Sequence, residues 1–203
     1  MTTAGDRVSM TLLDWRRRVA TLYAEVRVSA ELDPAGTLGR FRVERDRLFR
    51  EHPQSPLAPE AQAGFRGLSY WPYDPAIRFE ADVEAVPAEP VTVTSLSGEA
   101  FRLERIGRVR LPVGALEVYW IAAYGGGILV PFRDATSGTE TYGAGRYLLD
   151  TVKGADLGGS GDRLVLDFNY AYHPSCAYDP RWSCPLAPPA NRLGVAVKAG
   201  ERL

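Results

Sequence analysis

Arg78–Phe132 reads RFEADVEAVPAEPVTVTSLSGEAFRLERIGRVRLPVGALEVYWIAAYGGGILVPF, and this stretch decides the fold. Apolar and polar residues alternate along much of it, the period-two pattern of strands that bury one face. Ser97-Gly98, Pro112-Val113-Gly114 and Gly125-Gly126-Gly127 fall where hairpins need tight turns. The pattern predicts strands over Arg78–Ala85, Val91–Ser95, Ala100–Val109, Ala115–Ala123 and Gly127–Phe132, continued by Tyr147–Asp150 and Leu164–Phe168. Strand follows strand without an intervening helix. The expected body is therefore a curved antiparallel sheet or a partly open β-barrel.

Upstream the period is helical. Leu12, Trp15, Val19, Leu22 and Val26 predict an amphipathic helix to Ser29, and Leu38, Phe41, Leu48 and Phe49 predict a second over Thr37–Glu51. Thr37 is the expected N-cap, and His52-Pro53 ends the helix because the residue before proline is pushed out of the helical region. Arg16, Arg17 and Arg18 point three ways around a helix and read as a solvated face. Phe65, Tyr70, Trp71, Tyr73 and Phe79 read as core, with stacking on a planar ligand the alternative.

At the other end, Pro185, Pro188 and Pro189 favour extended chain. Leu186–Ala190 should lie along the surface and return Asn191 and Arg192 to the sheet, and VAVKAGE should add a short edge strand. Gly154–Gly161 fits a hairpin loop. The fold class expected is α+β, mainly β, as one domain over 1–203. It comprises N-terminal helices at about 11–52, a β-rich body at about 65–170 and a proline-rich wrap at about 171–203.

Composition narrows the function classes. With 203 residues, 45% hydrophobic and 24% charged, the chain suits a soluble domain with an ample core. No apolar run approaches the roughly 20 residues of a membrane helix. Twenty-four basic against 25 acidic residues leave a net charge of −1, which argues against a nucleic-acid or membrane partner. MTTAGDRVSM lacks the pattern of a signal peptide, so a cytoplasmic location is expected.

Chemistry concentrates between Pro131 and Arg192. Asp134, Ser137, Thr139, Glu140, Thr141, Tyr142 and Arg146 fall within thirteen residues, and Asp167, Asn169, Tyr172 and His173 follow one apolar run. GTETYGAGR lacks the Lys-Ser/Thr of a phosphate loop and the spacing of a dinucleotide fold, so its glycines read as turn residues. Ser137 is not on a nucleophile elbow, which removes a serine triad of that type. Arg146 offers a planar fork of donors for a carboxylate or phosphate, against a structural salt bridge to Asp134, Glu140 or Asp167. Alternation puts Asp167 and Asn169 on one strand face, either as acid–base and oriented amide or as turn caps. Cys176 and Cys184 leave three readings: a zinc site short of ligands, a nucleophilic thiol, or a disulfide or close reduced pair.

FRVERDRLF, GLSYWPYDP, DATSGTETYGAGRYL, LDFNYAY, the paired cysteines, CPLAPPANRL and the terminal AGE together resemble the bacterial and archaeal domain of unknown function number sixteen-eighty-four, over Trp15–Glu201. The resemblance brings no established activity. It implies Asn-Pro-Pro-Cys where this chain has His173-Pro174-Ser175-Cys176.

The function expected from these residues is metal-independent acid–base chemistry, without cofactor, on a small molecule carrying an anionic group. Asp167 and Glu140 are the candidate proton carriers. Asp134, Ser137, Thr139, Tyr142, Arg146, Asn169, Tyr172 and Arg192 are the candidate ligand-binding residues. Two alternatives stand beside it: a pocket that only binds, and a polar cluster that only fixes the fold.

Overall fold

The computed structural model describes residues 4–203, with side chains from Val8 onward. Helix α1 (Ala4–Ser29) begins before the expected Leu12, and α2 spans Pro34–Glu51. Asp33, rather than Thr37, caps α2, its carboxylate accepting the Gly36 N–H at 3.0 Å. Pro34 explains the earlier start, because its φ is preset for helix and its missing N–H would have had no partner there. Thr37 is buried inside the helix instead, where its hydroxyl accepts from Arg40 at 2.9 Å. His52 closes the helix in extended conformation, and a short α3 (Pro59–Gly64) follows.

The strands are β1 (Ser69–Tyr70), β2 (Arg78–Asp82), β3 (Glu84–Thr94), β4 (Ala100–Leu111), β5 (Gly114–Ile121), β6 (Ile128–Phe132), β7 (Arg146–Asp150), β8 (Gly159–Ser160), β9 (Arg163–Asp167) and β10 (Glu201–Arg202). They form an antiparallel meander β3-β4-β5-β6-β7, a sheet β2-β9-β8 and the pair β1-β10, and none closes into a barrel. The single expected strand Arg78–Ala85 is thus divided between two sheets. Val83 turns the chain, and its Cγ1 occupies the space a Cβ at Gly107 would need. β3 runs through Pro87 and Pro90, where the sequence suggested a break, because it is an edge strand and edges tolerate a missing donor. Gly154–Gly161 makes more than a hairpin loop: its end forms β8 and pairs with β9.

One core joins helices and sheets. Leu22, Tyr23 and Val26 of α1 and Leu38 and Phe41 of α2 pack with Val109, Leu116, Val130, Phe132, Leu148, Leu166 and Phe168. The aromatic cluster packs inward as expected: Trp71 is buried, Phe65 lies against Phe49, and Phe79 meets Phe168 edge-on. The proline-rich tail is less superficial than expected, with Ala187 and Pro188 buried and Pro189 and Ala190 exposed. It delivers Asn191 to the sheet as predicted. The Asn191 amide accepts the Glu117 N–H at 2.8 Å and donates to the carbonyls of Glu117 and Pro131 at 3.0 and 2.7 Å.

Candidate functional site

The segment Asp134–Arg146 folds into turns between β6 and β7. Gly145 needs its glycine: φ is +100°, and a Cβ there would collide with the Phe132 carbonyl. The next residue, Arg146, is 1% exposed and donates to the carbonyls of Val197 (2.8 Å), Glu201 (3.2 Å) and Ala199, and to Asp134 Oδ2 at 3.3 Å. Trp71 and Phe132 cover its guanidinium at 5.3 and 5.0 Å. Burial lowers its pKa to about 10, with Asp134 opposing, so it stays charged at neutral pH. Asp134 is equally engaged: Oδ2 also accepts the Val197 N–H at 2.7 Å, and Oδ1 takes the hydroxyls of Thr136 and Ser137 at 2.8 and 3.2 Å. Thr139 donates to the Thr136 carbonyl at 3.0 Å, and Glu140 pairs at the surface with Lys198 at 3.1 Å. This fork of donors grips the returning chain end.

Asp167 ends β9 and opens onto a cleft of 320 Å³ between α1, β2 and the β8–β9 hairpin. Its Oδ1 accepts the Asn169 N–H at 2.9 Å and Nδ2 at 2.8 Å, and Asn169 in turn exchanges hydrogen bonds with both backbone groups of Asp74. The carboxylate is thereby fixed at one oxygen. Burial raises its pKa, with the Asn169 donors and Arg78 opposing. Arg78 lies directly across the strand pair from Asp167 and lines the same cleft with Arg27 and Arg163. Tyr170, also on the wall, has a buried hydroxyl without a partner among the described residues.

A second, smaller cavity of 60 Å³ lies between α1, α2 and the segment Tyr172–Tyr178. Beside it Glu201 Oε2 accepts Arg45 Nη2 and the His173 N–H, each at 3.1 Å, and Oε1 accepts the Tyr178 hydroxyl. Burial raises the Glu201 pKa, with Arg45 and the His173 N–H opposing. His173 Nε2 accepts the Tyr142 N–H at 3.2 Å, which leaves the ring proton on Nδ1. The Tyr142 hydroxyl points to the Cys176 carbonyl at 3.3 Å. Cys176 and Cys184 are free and buried, and their influence on one another lowers the pKa of Cys184 and, together with burial, raises that of Cys176.

The structure therefore distributes the residues singled out by sequence. Asp134, Ser137 and Arg146 share one buried network, Asp167 and Asn169 share a second, and Tyr172 lines the small cavity, while Glu140, Thr139 and Arg192 are exposed. No residue of Asp134–Arg146 lines the Asp167 cleft. A larger groove of 810 Å³ on the outer face of α1 and α2 holds none of these residues, and its Arg18, Arg40 and Arg47 are paired with Asp14, Asp33 and Glu44. Arg45, Glu201 and Arg78 were missed. The signal for Arg45 was present: Phe41, Arg45 and Phe49 sit four apart, a charge inside an apolar stripe.

A family profile described as "Protein of unknown function (DUF1684)" matches residues 63–202. The chain belongs to that family. Its matched span covers the sheets and the tail, and leaves α1 and α2 outside. The DUF1684 chain is also similar to an uncharacterised protein from gene locus rrnAC0354 of Haloarcula marismortui, solved by solution NMR. The two are 39% identical with a TM-score of 0.59, over 84% of this chain and 95% of that one. No curated protein matches. Among the described residues no helix is long and apolar enough to cross a membrane, and no three His, Cys, Asp or Glu side chains converge as a metal-ligand set.

Proposed function

We propose that the chain binds an anionic small molecule in the cleft between α1, β2 and the β8–β9 hairpin, and that Asp167 transfers a proton to or from it. The supporting observation is a buried carboxylate, fixed at Oδ1 by Asn169, that stands opposite Arg78 in the β2–β9 register. A carboxyl whose pKa burial has raised is closer to the range in which it both gives and takes protons at neutral pH. Arg78, Arg27 and Arg163 are paired at the surface with Glu80, Asp156 and Asp82, and would supply the charge for an anionic group by exchanging those solvated partners for it. Asp167 suits the proton role better than Glu140, which is exposed and already paired with Lys198. Tyr170 offers an unused hydroxyl for orientation.

The alternative of a structural cluster is favoured for Arg146 and Asp134, whose partners all lie within the chain. The experiment is metabolite capture from a cell extract, read by mass spectrometry. Wild type should retain an anionic metabolite that Arg78→Gln retains about tenfold less well. Asp167→Asn, which keeps the side chain's shape, should hold the same compound but convert it at least ~100-fold more slowly. Equal capture by wild type and Arg78→Gln, or undiminished conversion by Asp167→Asn, would refute the proposal.

A further inference from the structure

The small cavity between α1, α2 and Tyr172–Tyr178 shares no lining residue with the Asp167 cleft. Its polar lining is unusual in sign. Tyr23 is 2% exposed, and its hydroxyl has no partner among the described residues. Arg45 Nε is likewise buried and without a partner, although Nη2 is bonded to Glu201. Unmatched groups of this kind are rare in folded interiors, because a buried donor without an acceptor is costly. Tyr172 adds a phenol held at an angle to Tyr147, and Lys153 stands at the exposed side of the lining, 3.8 Å from Asp150. The neighbouring carboxylate cannot serve these donors. Glu201 already takes Arg45 Nη2, the His173 N–H and the Tyr178 hydroxyl. His173 Nε2 is occupied by the Tyr142 N–H, and the buried Asp150 carboxylate takes the Lys153 N–H at 3.3 Å and faces the Lys153 ammonium.

What the cavity lacks is an acceptor carrying negative charge. Its size sets the ligand: at roughly 10–15 Å³ per water-sized atom, 60 Å³ admits about four to six non-hydrogen atoms. Trp15, Phe49 and Ala155 supply apolar wall, which suits a flat carboxylate with a hydrogen or methyl substituent better than a tetrahedral, fully hydrated anion. We infer that this cavity binds a small carboxylate of formate or acetate size, its oxygens held by Tyr23 Oη and the Arg45 guanidinium and its substituent packed against Trp15. The site is independent of the proposed chemistry at Asp167, so either can fail without the other.

The test is a titration of the full chain with sodium acetate, in acetate-free buffer at constant ionic strength, following the Trp15 indole N–H by NMR. A saturable shift is expected, and acetamide, the neutral isostere, should produce none. Tyr23→Phe removes a hydroxyl with no protein partner, so its melting temperature without acetate should equal or exceed that of wild type while acetate affinity falls about tenfold. Lys153→Gln, at a half-exposed position, should weaken acetate severalfold and carries the test should Tyr23→Phe not fold. The inference is overturned if the acetate shift does not saturate, if acetamide competes equally, or if the folded variant binds acetate as wild type does.

Discussion

His173 is held neutral by its surroundings. Burial, and then the charges of Arg146 and Arg45, lower its pKa to about 3, against about 6.5 for a free imidazole. Between those values the unfolded chain takes up a proton that the folded chain refuses. The stabilisation is therefore complete above pH 6.5 and is lost as pH falls toward 3. Asp167 and Glu201 act in the opposite sense, because their raised pKa values let the folded state bind protons first. Subtracting a variant isolates the histidine. The stability difference between wild type and His173→Asn should be flat above pH 7. It should then decline in acid with a slope approaching about 1.4 kcal/mol per pH unit, read from urea midpoints. A pH-independent difference would mean that the ring takes up its proton equally in the folded and unfolded states. Arg146 shows the complementary limit of residue-level reading: its composition and turn context identify a polar centre, but the identity of its acceptors depends on a chain end more than fifty residues away.

At the scale of elements, the tail acts as a strap with two clasps. One is Arg146, which binds three carbonyls of Val197–Glu201. The other is Asn191, whose amide completes the hydrogen bonding of two neighbouring strands where no regular strand lies alongside. Truncating Asn191 would leave a buried N–H and two buried carbonyls unmatched. At ~1–3 kcal/mol for each unsatisfied group, Asn191→Ala should cost about 3 kcal/mol or more in denaturant unfolding. A loss below about 1 kcal/mol would show that water or backbone movement replaces the amide. Extended proline-rich chain can be fixed this way because it has no internal hydrogen bonds of its own and offers its carbonyls freely.

Across the whole molecule, α1 and α2 share one core with all the strands that face them. Trp15 lies on α1, Trp71 beneath Arg146, Trp120 on β5 and Trp182 in the tail, bonded to the Pro56 carbonyl at 2.9 Å. Helical ellipticity and tryptophan fluorescence should therefore be lost in a single coincident thermal transition. Two resolved transitions would divide the helical layer from the sheets.

Much of this architecture was legible in the chain itself. Period-two alternation and glycine turns determined the antiparallel strands, the 3.6-residue apolar stripe determined both long helices, and the prolines determined an extended tail, because each of these signals is local. The sequence also located the residues of unusual chemistry, Asp134, Arg146, Asp167 and Asn169, since buried polar groups stand out against strand and turn patterns. Their grouping was decided only in three dimensions. The division of Arg78–Ala85 between two sheets, the three separate polar networks, and the meeting of Arg45 with Glu201 across 156 positions all rest on long-range contacts. A buried charge reveals that it needs a partner, but which partner reaches it is set by how the sheets and the returning strap pack.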